Sequence, residues 1–418
     1  MNYKPHPLIY AANEGFINTI RFAIEMNDAV DIDSLRYATE QVKCRYPYFS
    51  VRIDKENEDI VLAENTLPFV ISESGDPLCL NSEESNFHLL AFAVKENVIY
   101  IDISHFICDG NGLFPMAKTL IYYYIENKYG ADGIATSGIN LVTDEIKEEE
   151  YAYPYPDAPI EDNDALPIKP KEYDPFVFAD DYFDDGGVYS YRLSVSQKDM
   201  MVYAKSNDGS PLSFIGVMMY KALMSLFPDT DKDVLFQVPH EYRAALGKPL
   251  SHECLARVMP VALSSKDVEK DVERLNTMVR GQIVIGSDEA NDIEAINGMV
   301  QLGAYLQTLP LEGKKQMMIG VVGGTLEKNT FGISYTGRVS LDGMERYIHT
   351  IIAYAGENRF TGKIGTEIFC VGDHFSINLM QPGKNPAFKD AVVKAFKDCN
   401  ISCELLGEGR YTLADMKL

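Results

Sequence analysis

Three residues separate His105 from an Asp109-Gly110 pair in the run His105-Phe106-Ile107-Cys108-Asp109-Gly110. Among side chains an imidazole is the best matched to take and return a proton at neutral pH, because its unperturbed pKa is about 6.5. The run follows Val98-Ile99-Tyr100-Ile101-Asp102-Ile103-Ser104, β-branched and aromatic with few breakers, which reads as a strand. Asp109-Gly110-Asn111-Gly112 is dense in turn formers, and a helix is expected from Leu113 to Tyr129. A base at a strand's end can face a cavity; the same residues without supporting elements make only an ordinary turn beside a satisfied histidine. The elements around the run therefore decide what it is.

Upstream, Asn18-Thr19-Ile20-Arg21-Phe22-Ala23-Ile24 reads as a strand, and Asp31 or Asp33 opens a helix. Its apolar positions Leu35, Ala38, Val42 and Tyr46 fall on one face. In Arg45-Tyr46-Pro47-Tyr48-Phe49-Ser50-Val51-Arg52-Ile53 the proline disfavours further helix and the following residues restart a strand.

Strand, helix, arginine-proline break and strand, with His-x-x-x-Asp-Gly further on, resemble the chloramphenicol acetyltransferase-like superfamily of acyltransferases. That superfamily includes plant acyltransferases, alcohol acetyltransferases, polyketide-associated and wax-ester acyltransferases, and condensation domains of peptide synthetases. The resemblance covers Asp31 to Arg52 and Ile99 to Tyr124 well and the C-terminal half more loosely, through three segments. It implies an α/β (α+β) fold of two similar lobes, each a mixed sheet flanked by helices, with a tunnel between them. It also implies an acyl-CoA donor, a small-molecule acceptor bearing a hydroxyl or amine, and His105 as the general base. Asp109 then anchors the loop through Arg243, in Val238-Pro239-His240-Glu241-Tyr242-Arg243, with Arg21 as the second candidate partner. A relay from His105 to Asp109 is rejected, since a turn after a strand points the two side chains apart. Gly110 serves the tight exit from the strand. In Phe331-Gly332-Ile333-Ser334-Tyr335-Thr336-Gly337-Arg338, Ser334 is the candidate oxyanion donor, followed by Thr336, with Tyr335 in support.

Two departures narrow this reading. The chain has no tryptophan, so the plant-type Asp-Phe-Gly-Trp-Gly signature is absent, and Ser104 stands where condensation domains double the histidine. The second departure weighs against an acyl donor held on a carrier protein, which remains the first alternative. A non-catalytic relative that binds a small molecule or partner in the tunnel is the other.

With 418 residues, 46% hydrophobic and 11% aromatic, the chain has ample material for large cores. A formal net charge of -24 excludes general binding to nucleic acid or anionic membranes, which needs clustered Lys and Arg. No window approaches a membrane span and Met1 to Tyr10 carries no signal-type apolar run, so a cytoplasmic location is expected. The seven cysteines form no Cys-x-x-Cys knuckle and are expected as reduced thiols. Ser251-His252-Glu253-Cys254 offers ligand types, but neighbours on an extended segment point to opposite faces, and no metal is assigned.

Residues 143–187 alternate charge with Pro and Tyr and lack an apolar period; they read as a connector along the surface between lobes at 1–142 and 188–418. After it, strands are expected near Tyr189 to Val195, Asp233 to Pro239, Phe331 to Tyr335, Lys363 to Val371 and His374 to Met380. Helices are expected from Ser196, from Pro211 to Phe227, over Lys266 to Ile285, over Asp288 to Gln307 and from Pro386 to Asp398. Gly320-Val321-Val322-Gly323-Gly324-Thr325 lacks a phosphate loop's Gly-Lys-Ser/Thr ending and reads as a turn. A chain that supplies both lobes is expected to act as a monomer.

Overall fold

A computed structural model describes residues 2–12, 18–161, 172–183, 187–326, 329–355 and 360–417. The first half holds β1 (Asn2–Tyr3), β2 (Thr19–Met26), α1 (Ile32–Arg45), β3 (Val51–Glu56), β4 (Asp59–Glu64), β5 (Ile71–Ser72), β6 (Leu90–Lys95), β7 (Val98–Ser104) and α2 (Gly110–Tyr129). Then come β8 (Val188–Ser196), α3 (Gln197–Ser206), α4 (Pro211–Leu226), β9 (Val234–Glu241), β10 (Ala256–Leu263), α5 (Val272–Gly286), α6 (Glu289–Gln307) and α7 (Leu311–Leu326). β11 (Phe331–Arg338), β12 (Ile348–Ala355), β13 (Phe360–Val371), β14 (His374–Pro382), α8 (Ala387–Asp398) and β15 (Cys403–Arg410) complete the order.

Two mixed sheets organise these elements, one ordered β12-β2-β7-β6-β5 and the other β10-β9-β11-β13-β14-β8-β15, beside a small sheet β1-β4-β3. In the first, α1 starts at Asp31, whose Oδ1 accepts from the Ser34 N–H at 2.7 Å. Leu35, Ala38, Val42 and Tyr46 are fully buried, as one apolar face requires. α2 packs on α1 and is buried on nearly every side, from Leu113 to Ile125. In the second sheet, α4 and α8 pack together over the strands, and Phe214, Met218, Phe331, Ile368 and Phe388 fill that core. The fold class is α/β with two lobes. Among the described residues no helix is long and apolar enough to cross a membrane.

A contiguous division at 142 and 188 is crossed by β12, which pairs antiparallel with β2 from Ile20 opposite Ala355 to Met26 opposite Ile348. Near the C-terminus, Leu80 bridges Met416, and the Thr19 hydroxyl donates to the Ala414 carbonyl at 2.8 Å. The connector also differs from a surface strap. Glu150 is buried and accepts two bonds from Arg45, at 2.7 and 3.0 Å, and one from the Tyr48 hydroxyl at 2.7 Å. Tyr155 is buried with its hydroxyl 2.6 Å from that of Tyr242. Residues 162–171 and 184–186 of the connector lie outside the described residues.

The glycine-rich run from Gly320 to Thr325 is helical, inside α7, not a turn. Met318 and Val322 on that helix are buried in the first lobe's core, and this tertiary burial outweighs the weak helix propensity of glycine. α5 begins at Val272 instead of Lys266, behind a 3-10 turn over Ser265–Asp267. β10, β12 and β15 were not legible as strands.

Candidate functional site

β7 is the middle strand of its sheet, paired to β2 and β6. Its end delivers His105, whose backbone N–H donates to the Asn18 carbonyl at 2.8 Å. The ring is half-buried, neither sealed in hydrocarbon nor open to bulk water. Its Nδ1 lies 3.6 Å from the Cys254 sulfur, the length of a weak sulfur hydrogen bond.

Asp109 turns away from His105. It caps α2, its Oδ1 accepting from the Gly112 N–H at 2.7 Å, and its Oδ2 accepts from the Leu255 N–H at 2.9 Å. Arg243 grips both oxygens, Nη2 to Oδ1 at 2.7 Å and Nη1 to Oδ2 at 3.0 Å. Its remaining donors reach the Ser251 carbonyl at 2.9 Å, the Glu253 carbonyl at 2.8 Å and the Glu241 carboxylate at 3.4 Å. Arg21, the second candidate partner, instead sits 3.7 Å from Asp102, donates to the Gly75 carbonyl and stacks 4.0 Å from the Tyr100 ring. On β2 it lies directly opposite Asp102 of β7, not beside the Asp109 turn.

The segment from Ser251 to Leu255 closes the corner. The His252 Nδ1–H donates to the Gly112 carbonyl at 2.5 Å, and burial holds that imidazole neutral, with its pKa down at about 4. This close docking needs Gly112 to be bare, since a Cβ there would stand 2.1 Å from the His252 carbonyl oxygen. Gly112→Ala is therefore expected to cost at least the ~3 kcal/mol at the upper end of ordinary overpacking. An unchanged urea midpoint for that variant would mean the segment does not sit on α2 as described.

Cys254 is buried, and that burial, with Asp109 nearby, pushes its thiol well above the ordinary range. It is a neutral thiol and no nucleophile. Beside it, burial and then Asp109 raise the Glu253 carboxyl to about 8. His6, buried at the N-terminal turn, accepts from the Leu8 N–H at 3.2 Å through Nδ1. Its pKa is brought down to about 4 by burial and then by the neighbouring His105. A cavity of about 360 Å³ opens nearby; Pro5 and Pro7, on either side of His6, share its wall with Lys4, Tyr10 and Tyr153.

β11 faces the same corner. A Cβ on Gly110 would lie 3.6 Å from Thr336 Cγ2, so the strand end abuts the start of α2. Ser334 hydrogen-bonds the Glu367 carboxyl, which burial nonetheless raises to about 7. Tyr335, expected in support, faces the opposite way and packs at 6.1 Å on Phe375 against the second core, because neighbours on a strand alternate faces. Among the described residues no group of three His, Cys, Asp or Glu is arranged to hold a metal ion.

Cys254, Glu253, His6 and Glu367 were missed as site residues. For Cys254 and Glu253 a signal existed in the clustered residue types of Ser251-His252-Glu253-Cys254; for His6 and Glu367 none did.

Buried and partly buried ionisable groups set a pH dependence of stability. His6, His88 and His252 are held down at about 4 by burial, whereas burial raises Asp102 to about 7, Glu253 to about 8 and Glu367 to about 7. From pH 6.5 to 8 the unfolded histidines shed their remaining protons, a smaller effect of opposite sign, and the carboxyls dominate. The folded state there keeps protons that the unfolded chain, with ordinary carboxyl values, has already lost. Stability must fall as pH rises through these folded values. Urea midpoints are expected to be lower at pH 8 than at pH 6.5; a higher one at pH 8 would contradict the burial of these groups.

No family model matches the chain, and no curated protein matches its sequence. Solved structures do match. TRI101 of F. sporotrichioides, crystallised with coenzyme A and T-2, aligns over 97% of this chain and 100% of its own at a TM-score of 0.62 and 8% identity. Polyketide synthase associated protein 5 from Mycobacterium tuberculosis aligns over 96% and 97% at 0.59 and 12% identity. The condensation domain of the monacolin K polyketide synthase MokA aligns over 96% of each chain at 0.56 and 8% identity. At such identities the likeness shows a shared fold.

Proposed function

We propose that this chain transfers an acyl group from acyl-CoA to a hydroxyl or amine of a small molecule, with His105 as general base. The observation that carries the reading is the half-buried His105 ring at the lobe corner, on a turn braced by Asp109 and Arg243. If the His105 Nδ1–H donates to the Cys254 sulfur, Nε2 keeps its lone pair for the acceptor. His105 takes the acceptor's proton as its oxygen or nitrogen attacks the thioester carbonyl carbon. The tetrahedral oxyanion that forms then collapses, the C–S bond breaks, and the departing thiolate takes the proton back from the imidazolium. The products are free CoA thiol and an ester or amide. The candidate donors to the oxyanion are the hydroxyls of Thr336, on the strand opposite, and of Ser334, which must first turn its proton away from the Glu367 carboxyl. Asp109, Gly110 and Arg243 shape the loop and do no chemistry.

A donor of this kind is supported by TRI101, which shares the fold and was crystallised with coenzyme A and a small molecule. The reading includes a monomer working in the cytoplasm, since one chain carries both sheets. It is tested by thiol release from a panel of acyl-CoA esters with pooled alcohols and amines. Release that depends on acceptor and on His105 supports it. Equal background signals with and without His105 point to a binding protein, and release only from an acyl carrier protein points to the condensation-type alternative.

A further inference from the structure

The cavity beside His6 has the wall chemistry of a binding site. Segments distant in sequence build it: the N-terminal turn, β4, Tyr153 of the connector, the end of α6 and the start of α7. Its volume of about 360 Å³ falls within the range of small-molecule pockets, roughly 300 to 1,000 Å³. Pro5, Pro7, Ile60 and Leu306 give it an apolar lining. It lies against the His105 corner. His6, between those two prolines, is in electrostatic reach of His105 and Asp109, and Tyr153 is in reach of Glu253, which precedes the Cys254 beside His105.

The charge on the wall reverses that of the chain. Against 62 acidic and 38 basic residues overall, the cavity presents Lys4 and Lys314 with a single carboxylate, Asp59. Lys314 is the more informative lysine. Its side chain is only 8% exposed; one N–H donates to Asp59 Oδ2, and the ammonium lies 5.3 Å from the Tyr10 ring centroid. An ammonium has three donors, so two of them have no hydrogen-bond partner among the described residues. Asp59 is already engaged elsewhere, its Oδ1 accepting from the Tyr10 hydroxyl at 3.0 Å and the Ile60 N–H at 2.9 Å. Lys4 lies 4.1 Å over the Tyr153 ring and forms no ion pair with a described residue, Asp157 being the acidic group in electrostatic reach.

We infer that this cavity holds the acceptor and that Lys4 and Lys314 bind a carboxylate on it, several bonds away from the hydroxyl or amine that is acylated. This rests on the reading of the chain as an acyltransferase and adds its substrate class, an acid with an apolar body. A buried donor left unmet is unfavourable, and a carboxylate between the two lysines removes that penalty. Bonds between an ammonium and a carboxylate are charge-assisted, about twice as strong as neutral ones.

The test compares 8-hydroxyoctanoate with 1-octanol, which differ by a carboxylate in place of a methyl, with acetyl-CoA as donor. Wild type is expected to prefer the hydroxy acid by about tenfold or more in kcat/KM, the scale of a charge-assisted hydrogen bond. The hydroxy acid alone should also raise the thermal unfolding temperature of wild type, a readout that needs no turnover. Lys4→Met, at an exposed position, should lose most of the preference and of the shift. Lys314→Met combined with Asp59→Asn, which leaves neither charge of that pair alone, should do the same. No preference in wild type, or one that survives in Lys4→Met, overturns the inference. A Lys4-dependent thermal shift with CoA in place of the hydroxy acid would assign the anion to the donor and overturn it as well. A Lys4-dependent shift with the hydroxy acid but no turnover of either compound would instead count against the acyl transfer and leave the acid-binding cavity standing.

Discussion

His105→Ala is expected to lower acceptor-dependent thiol release by about 10² to 10⁴, the range that general-base catalysis contributes. The loss should fall on kcat, because the imidazole acts on the proton that moves in the transition state and adds little to ground-state binding. The KM for the acyl-CoA ester should change little. His105→Gln keeps hydrogen-bonding capacity without basicity, so it should be as inactive as the alanine variant. Stability should barely respond in either, since the ring is half-buried and its one close side-chain hydrogen-bond partner among the described residues is the Cys254 sulfur at 3.6 Å. A variant that retains wild-type thiol release would remove His105 from the chemistry altogether.

Arg243→Ala should damage the fold as well as turnover. The guanidinium meets both oxygens of Asp109 at 2.7 and 3.0 Å, and both side chains are about nine-tenths buried or more, at 7% and 6% exposure. Removing one partner leaves a buried charge uncompensated, a loss of about 3 to 5 kcal/mol. The carbonyls of Ser251 and Glu253 lose their donor at the same time, which frees the segment that carries Cys254 to His105. Arg243→Lys should recover only part of this, since an ammonium cannot make the two-pronged contact and reach both carbonyls. Urea unfolding and thiol release measured on the same preparations check this. If Arg243→Ala leaves both untouched, the loop is held by something else.

The candidate site was legible in proportion to how local its determinants are. His105, Asp109 and Gly110 sit on a strand, a turn and a helix start written in neighbouring residues. Their elements emerge at Val98–Ser104 and Gly110–Tyr129 within three residues of expectation. Arg243 was reachable only through family resemblance, because 134 positions separate it from Asp109 and nothing in the local pattern of β9 marks it. The choice against Arg21 depended on which face of the β2–β7 ladder that residue occupies. Cys254 was discounted by a sound rule about alternating faces, yet that rule concerns ligands from one strand and not a segment folded onto another helix.

By itself the sequence determined the local elements and the histidine at a strand end, since periodicity, capping and turn chemistry act over a few residues, while the fold class was implied by the family resemblance those elements carry. Tertiary structure alone decided which distant groups meet: β12 completing the first sheet, Glu150 of the connector buried on Arg45, Gly320 to Thr325 drawn into a helix, and Glu367 set opposite Ser334 across two strands. The physical reason is range. Strand pairing and burial of ion pairs are settled by the free energy of the whole packed chain, and a residue's neighbours in sequence carry no record of its neighbours in space.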